Sequence, residues 1–127
     1  MSKKIGFVGL GTMGFPMAVN LKKAGFEVIG YDAWKGVYEK AEAAVFTTVD
    51  TVKEVAELAD EAVISMVRDY AQNVDVIFGE NGILTAGNTD GKTIIVMSTL
   101  SPDAMNELAA RTESESGLKL ISAAVSD

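Results

Sequence analysis

Between residues 9 and 14 the chain reads Gly9-Leu10-Gly11-Thr12-Met13-Gly14, and what flanks that run constrains the fold more than any other feature. Before it, Lys4–Gly9 is a short, continuous apolar run of strand length. After it, Met13, Met17 and Leu21 recur at i, i+4 and i+8, the spacing of one helix face, and Gly25 closes the segment as a C-terminal glycine. A strand that must turn at once into a helix needs a backbone few side chains permit, and glycine supplies it. The junction therefore predicts an opening β–α unit.

The same alternation continues along the chain. Further strand-like runs fall at Glu27–Tyr31, Ala62–Val67 and Thr93–Met97, with weaker ones at Val45–Thr48 and Leu118–Ser122. Their continuity, without strict alternation of polar and apolar residues, suits a parallel sheet covered on both faces. Between them, Val52, Val55, Ala56 and Ala59 form a helical stripe opened by Thr51, with Glu54 at capping-box spacing. Met105, Leu108 and Ala109 form another, with Ser101 as N-cap and Pro102 at the first helical position. Weaker helical patterns cover Lys35–Ala44 and Asp69–Phe78. The expectation is an α/β fold of the Rossmann type: a doubly wound, mainly parallel sheet with helices on both faces, residues 1–127 forming one domain.

Composition narrows the chemistry. The chain contains no cysteine and no histidine. This excludes disulfides, thiolate or imidazole metal sites, Ser-His-Asp triads and cysteine nucleophiles, and no metal site is expected. The formal net charge of −7, with Lys3-Lys4 and Lys22-Lys23 the only adjacent basic residues, argues against nucleic-acid binding. The uncharged stretch from Ile5 to Leu21 is short for a membrane span and is broken by glycines and Pro16, so no membrane partner is expected. Without cysteines, cytoplasmic residence is the expectation.

An acidic chain can still hold an anion on backbone N–H groups. The glycine run fits G-x-G-x-x-G, in which the first glycine makes the tight turn, the second admits close approach of a pyrophosphate, and the third packs helix on sheet. The free N–H groups and positive end of the following helix hold the diphosphate without a lysine. The motif also requires an acid near the end of the second strand. Asp32 ends Val28-Ile29-Gly30-Tyr31 and lies 18 positions after Gly14. Its carboxylate can accept both ribose hydroxyls and would repel a 2′-phosphate, and only Lys35 follows closely as a cation, so NAD is expected, with NADP as the alternative.

The run Gly6-Phe7-Val8-Gly9-Leu10-Gly11-Thr12-Met13-Gly14-Phe15-Pro16-Met17-Ala18-Val19-Asn20-Leu21 resembles the opening of the β-hydroxyacid dehydrogenases, which include 3-hydroxyisobutyrate dehydrogenase, tartronate semialdehyde reductase and, more distantly, 6-phosphogluconate dehydrogenase. Three more segments agree: Ala62-Val63-Ile64-Ser65-Met66, Gly79-Glu80-Asn81-Gly82-Ile83-Leu84, and Ser98-Thr99-Leu100-Ser101-Pro102. The resemblance implies an oxidoreductase moving hydride between NAD(P) and a small β-hydroxyacid, homo-oligomeric at full length. It implies cofactor contacts from Gly9, Leu10, Gly11, Thr12, Met13 and Gly14 at the pyrophosphate and Asp32 at the adenosine ribose. Met66 and Val67 would line the groove, and Thr99 would sit near the nicotinamide ribose. The family's acid/base lysine lies on an all-helical C-terminal domain, at a position beyond Asp127. The chain alone is therefore expected to bind cofactor and not to catalyse.

Two segments depart from the family pattern. Val67-Arg68-Asp69 stands where the family has Leu-Pro after the strand-four Met, placing Arg68 near the cleft, within reach of a phosphate or substrate carboxylate. The bland reading of Arg68 is a surface residue beside Asp69, which caps the next helix. Ser122-Ala123-Ala124-Val125-Ser126-Asp127 replaces the substrate loop Asp-Ala-Pro-Val-Ser-Gly-Gly, keeping the substrate-contacting serine as Ser126. A nucleotide-binding or sensing module without catalysis is a second reading, and an S-adenosylmethionine-dependent methyltransferase domain a third.

Overall fold

The computed structural model describes residues 3–123. Its six strands, β1 (Lys4–Val8), β2 (Glu27–Tyr31), β3 (Thr47–Thr48), β4 (Ala62–Ser65), β5 (Thr93–Val96) and β6 (Lys119–Ser122), form one sheet in the order β3-β2-β1-β4-β5-β6. Every adjacent pair is parallel. The helices between them are α1 (Gly14–Lys23), α2 (Tyr38–Ala43), α3 (Val52–Leu58), α4 (Tyr70–Phe78) and α5 (Pro102–Ser116), with single 3₁₀ turns at Lys35–Val37 and Ile83–Thr85. This is the Rossmann-type sheet expected from the alternation. β1 lies at the switch point, its Val8 paired with Tyr31 of β2 on one side and Ser65 of β4 on the other.

Consecutive strand residues point to opposite faces, and the core divides accordingly. Phe7, Val28 and Ile64 join Ala18 of α1 and Ala41 of α2 on one face. Their neighbours Val8, Ile29 and Val63 join Val55 of α3, Ile77 of α4 and Leu108 of α5 on the other. Each such fully buried aliphatic side chain contributes about 1.5–3 kcal/mol of transfer free energy. On the α1 face, Ile95 and Met97 are only partly buried. An apolar groove of 330 Å³ opens there, lined by Phe7, Met17, Leu21, Ile64 and Met97.

The helix ends follow their local chemistry. Thr51 accepts the Glu54 N–H at 3.2 Å, but its hydroxyl then donates to the Glu54 carboxylate at 3.1 Å. The reciprocal capping box forms instead between Asp69 and Gln72 at the start of α4. Ser101 caps α5 with Pro102 behind it, as its sequence predicts. At the C-terminus of α3, Lys92 Nζ donates to the Ala56 carbonyl at 2.7 Å and Asn88 Nδ2 to the Glu57 carbonyl at 2.9 Å, satisfying carbonyls the helix leaves open.

The strand expected over Val45–Thr48 shortens to Thr47–Thr48. Val45 belongs to the end of α2: its N–H donates to the Glu42 carbonyl and the Phe46 N–H to the Ala41 carbonyl, the paired bonds of a Schellman ending. Val45 itself sits at φ 64, exposed, while Phe46 turns inward. Gly25 holds the same place after α1, where the Gly25 N–H donates to Lys22 and the Phe26 N–H to Leu21.

Candidate functional site

The carboxyl ends of β1, β2 and β4 open into a cleft of 1190 Å³. Its floor is the glycine loop. Gly9 leaves β1 at φ +101, and a Cβ there would stand 2.5 Å from the Met66 carbonyl oxygen, so the loop rests directly on the backbone after β4. A Cβ on Gly14 would run into the Gly9 carbonyl, so α1 starts pressed against the turn. Both glycines answer to the protein's own packing.

Gly11 does not. A Cβ added there meets nothing within 4 Å, and its φ is not in the left-handed region, so the fold makes no demand for glycine at this position. Gly11 lines the cleft, and the space beside its Cα is open. Directly behind it α1 begins without a side-chain cap and without an acidic residue in its first turn. α3, α4 and α5 are each capped by a side chain. A close-approach glycine before an uncapped helix N-terminus is a fitting cradle for a diphosphate.

Asp32 stands at the end of β2, on the cleft wall. Its Oδ2 accepts the Leu10 N–H at 2.7 Å and its Oδ1 the Trp34 N–H at 2.8 Å, so the carboxylate is oriented by backbone on both sides. A carboxylate offers about four acceptor positions, which leaves two for hydroxyl donors. Lys35 stays beside the same residue: its ammonium donates to the Asp32 carbonyl at 3.3 Å and to the Tyr38 hydroxyl at 3.1 Å, 4.2 Å from the Tyr31 ring centroid and 4.7 Å from that of Tyr38. Tyr38 in turn donates to the Val49 carbonyl at 2.7 Å, fixing the far side of the pocket.

Of the residues singled out in the sequence, Gly9, Leu10, Gly11, Thr12, Asp32, Met66, Val67 and Arg68 line this one cleft. Met13 and Gly14 lie behind it as the N-cap and first residue of α1. Thr99 lies outside the lining, exposed on the turn between β5 and α5. Ser126 and Asp127 fall outside the described residues. Asp69 caps α4, as the bland reading of Arg68 requires, yet Arg68 also borders the cleft.

Three residues escaped the sequence reading. Trp34, 71% exposed, and Lys40, whose ammonium lies 4.7 Å from the Phe15 ring centroid, also border the cleft. The third is Asn73, fully buried beneath the loop after β4. An asparagine on the same helix face as Val76 and Ile77 was the available signal, since buried amides must find partners. Among the described residues no group of three or more acids could hold a metal ion, and no helix is long and apolar enough to cross a membrane.

The family described as the NAD binding domain of 6-phosphogluconate dehydrogenase matches residues 4–127. The chain is 40% identical over 99 residues to 2-hydroxy-3-oxopropionate reductase of Escherichia coli K12, covering 78% of this chain and 33% of that protein. It is 39% identical over 109 residues to mitochondrial 3-hydroxyisobutyrate dehydrogenase of Mus musculus, covering 86% of this chain and 32% of the other. It spans about a third of the length of these curated relatives. The solved structure of Mycobacterium tuberculosis 3-hydroxyisobutyrate dehydrogenase with L-serine superposes on all of it with a TM-score of 0.84 at 29% identity, covering 42% of that chain. The chain belongs to the family of NAD-binding domains represented by that of 6-phosphogluconate dehydrogenase.

Proposed function

We propose that residues 1–127 are the dinucleotide-holding domain of an oxidoreductase that moves hydride between NAD and a small β-hydroxyacid. The observation that carries this reading is the pairing of Gly11, on the cleft lining, with an uncapped α1 N-terminus and a carboxylate, Asp32, oriented by the adjacent Leu10 N–H. The backbone from Gly9 to Gly14 holds the pyrophosphate and Asp32 the adenosine ribose. Met66 and Val67 line the groove, Thr99 serves the nicotinamide ribose, Arg68 serves a phosphate or the substrate carboxylate, and Ser126 the substrate. NAD supplies the hydride carrier; the protein binds and orients it. The Asp32 carboxylate supports NAD over NADP, and Lys35, beside Asp32, and Lys40, on the cleft lining, are the cations available to serve the alternative. The proton donor or acceptor belongs to the longer protein, so this chain binds without turnover. Self-association of that longer protein follows from the family resemblance, and the absence of cysteine supports a cytoplasmic setting.

The chain has one tryptophan, and it borders the cleft. Titration with NADH should quench Trp34 and transfer its excitation to the nicotinamide, with a weaker response to NADPH and none to S-adenosylmethionine. A silent tryptophan together with no heat of binding for either dinucleotide would overturn the reading.

A further inference from the structure

Beneath the cleft, three pieces of chain meet at one buried amide. Ser65, the last residue of β4, donates its hydroxyl to Asn73 Oδ1 at 2.8 Å. Asn73 Nδ2, on α4, donates to the Asp69 carbonyl at 2.9 Å and to Ser98 Oγ, just past β5, at 3.1 Å. Ser98 Oγ then donates to the Val67 carbonyl. Asn73 and Ser65 are fully buried and Ser98 nearly so. No buried side-chain nitrogen or oxygen among the described residues lacks a partner. The Val67–Asp69 segment thus hangs from the network by two of its carbonyls, and Val67, Arg68 and Asp69 all border the cleft.

We infer that Asn73 is a positioning residue: through Ser98 it fixes the Val67–Asp69 wall of the cleft and so sets affinity for the nicotinamide half of the dinucleotide. The inference rests on the proposed cofactor reading. Its selectivity follows from topology. In an open parallel sheet the dinucleotide lies across the switch point, one half toward β2 and the other toward β4 and β5. Asp32 and the glycine loop serve the first half; the loop meets the wall at the Met66–Val67 backbone on which Gly9 rests, but neither it nor Asp32 hydrogen-bonds to Asn73, Ser65 or Ser98. A buried network that is fully satisfied holds one backbone arrangement; removing its hub leaves Ser65 and Ser98 without that partner. The wall then relies on the Asn73 backbone N–H bond to the Asp69 carbonyl and on the exposed Gln72, whose Oε1 accepts the Arg68 and Asp69 N–H groups.

The test uses the full chain and the variants Asn73→Leu, Asn73→Asp and Ser98→Ala, with NADH and ADP as probes and amide hydrogen exchange as a ligand-free readout. Asn73→Leu and Ser98→Ala should weaken NADH at least ten-fold while ADP binding stays within two-fold. Exchange at Arg68 and Asp69 should accelerate at least ten-fold, with that of Phe7 and Ile64 unchanged. Asn73→Asp, which keeps the acceptor and loses the donor, should fall in the same direction. NADH and ADP weakening together would reduce Asn73 to a structural role and overturn the inference, as would unaltered NADH binding and exchange in both variants. If Asn73→Leu does not fold, Ser98→Ala decides. If the wild-type chain binds neither probe, the cofactor reading fails, and unchanged exchange at residues 68–69 would still refute the positioning of the wall.

Discussion

The carboxylate of Asp32 accepts the backbone N–H of Leu10 at 2.7 Å, tying the end of β2 to the glycine loop 22 residues earlier. Under the proposed cofactor reading, one residue serves as strut and as ligand group. Asp32→Ala removes both and should weaken NADH about 10- to 100-fold, in line with the roughly 1.5–3 kcal/mol of a hydrogen bond to a charged group. It should also narrow the discrimination against NADPH, because the repulsion toward a 2′-phosphate is gone. Calorimetric titration of both nucleotides checks this, and an unchanged NADH affinity would remove Asp32 from the site.

Gly9 and Gly11 should separate stability from binding. Gly9→Ala forces a side chain into φ +101 and onto the Met66 carbonyl, and should lose about 2–4 kcal/mol in denaturant unfolding. Gly11→Ala meets no protein atom and should hold stability within about 0.5 kcal/mol. Under the proposed cofactor reading its methyl group enters the space of the ligand, so NADH affinity should drop at least ten-fold. Equal effects of the two substitutions on both measurements would contradict the assignment of Gly11 to the ligand.

Val45 carries a left-handed backbone that a β-branched side chain resists, at the place Gly25 holds after α1. Relief of the roughly 1–2 kcal/mol left-handed penalty, less the added freedom of glycine in the unfolded chain, makes Val45→Gly stabilising by about 1 kcal/mol. The thermal midpoint should rise by about 4 °C. The side chain is exposed, so no packing is lost in exchange.

Burial pushes the Lys92 ammonium below its ordinary value, against the opposing pull of Asp60 and Glu57. The folded chain therefore releases this proton at lower pH than the unfolded chain does. Between the lowered value and the ordinary one, near 10.5, the unfolded state binds more protons, so stability rises with pH through that window. The contribution is fully present above the unfolded value and lost as pH falls through the folded one. Urea unfolding at several alkaline pH values should show this upward component in the wild type and lose it in Lys92→Met.

The parts of the fold that sequence made legible are those where local chemistry and tertiary context agree. Ser101-Pro102 marks the start of α5 because cap and pre-set φ act within one turn. The three glycines and Asp32 were readable because each is needed at a fixed offset from a strand end. Val45 was misplaced for the opposite reason: its β propensity is local, while its conformation is imposed by Phe46 turning into the core. Asn73 could be seen as polar on an apolar face, but its partners Ser65 and Ser98 lie 8 and 25 residues away, and only the packed sheet brings them together. Trp34, on the turn after β2, and Lys40, on α2, reach the cleft through tertiary packing, which no periodicity encodes.

The place of β1 in the sheet also governs how the chain assembles. β1 precedes both strands it pairs with, and they arrive at different times: Tyr31 soon after Val8, Ser65 more than fifty residues after it. Until β4 docks, β1 is a temporary edge with Phe7 and Val8 half-covered. Nothing in a parallel sheet lets a hairpin close that gap locally. Such non-local pairing makes for slow folding and an interval of exposure to aggregation. The glycine loop stands on the Met66 carbonyl, so it takes its final form at the same late moment. Competence to bind should thus emerge with the docking of β4, and nascent chains stopped short of it should carry the whole glycine run and yet hold no nucleotide.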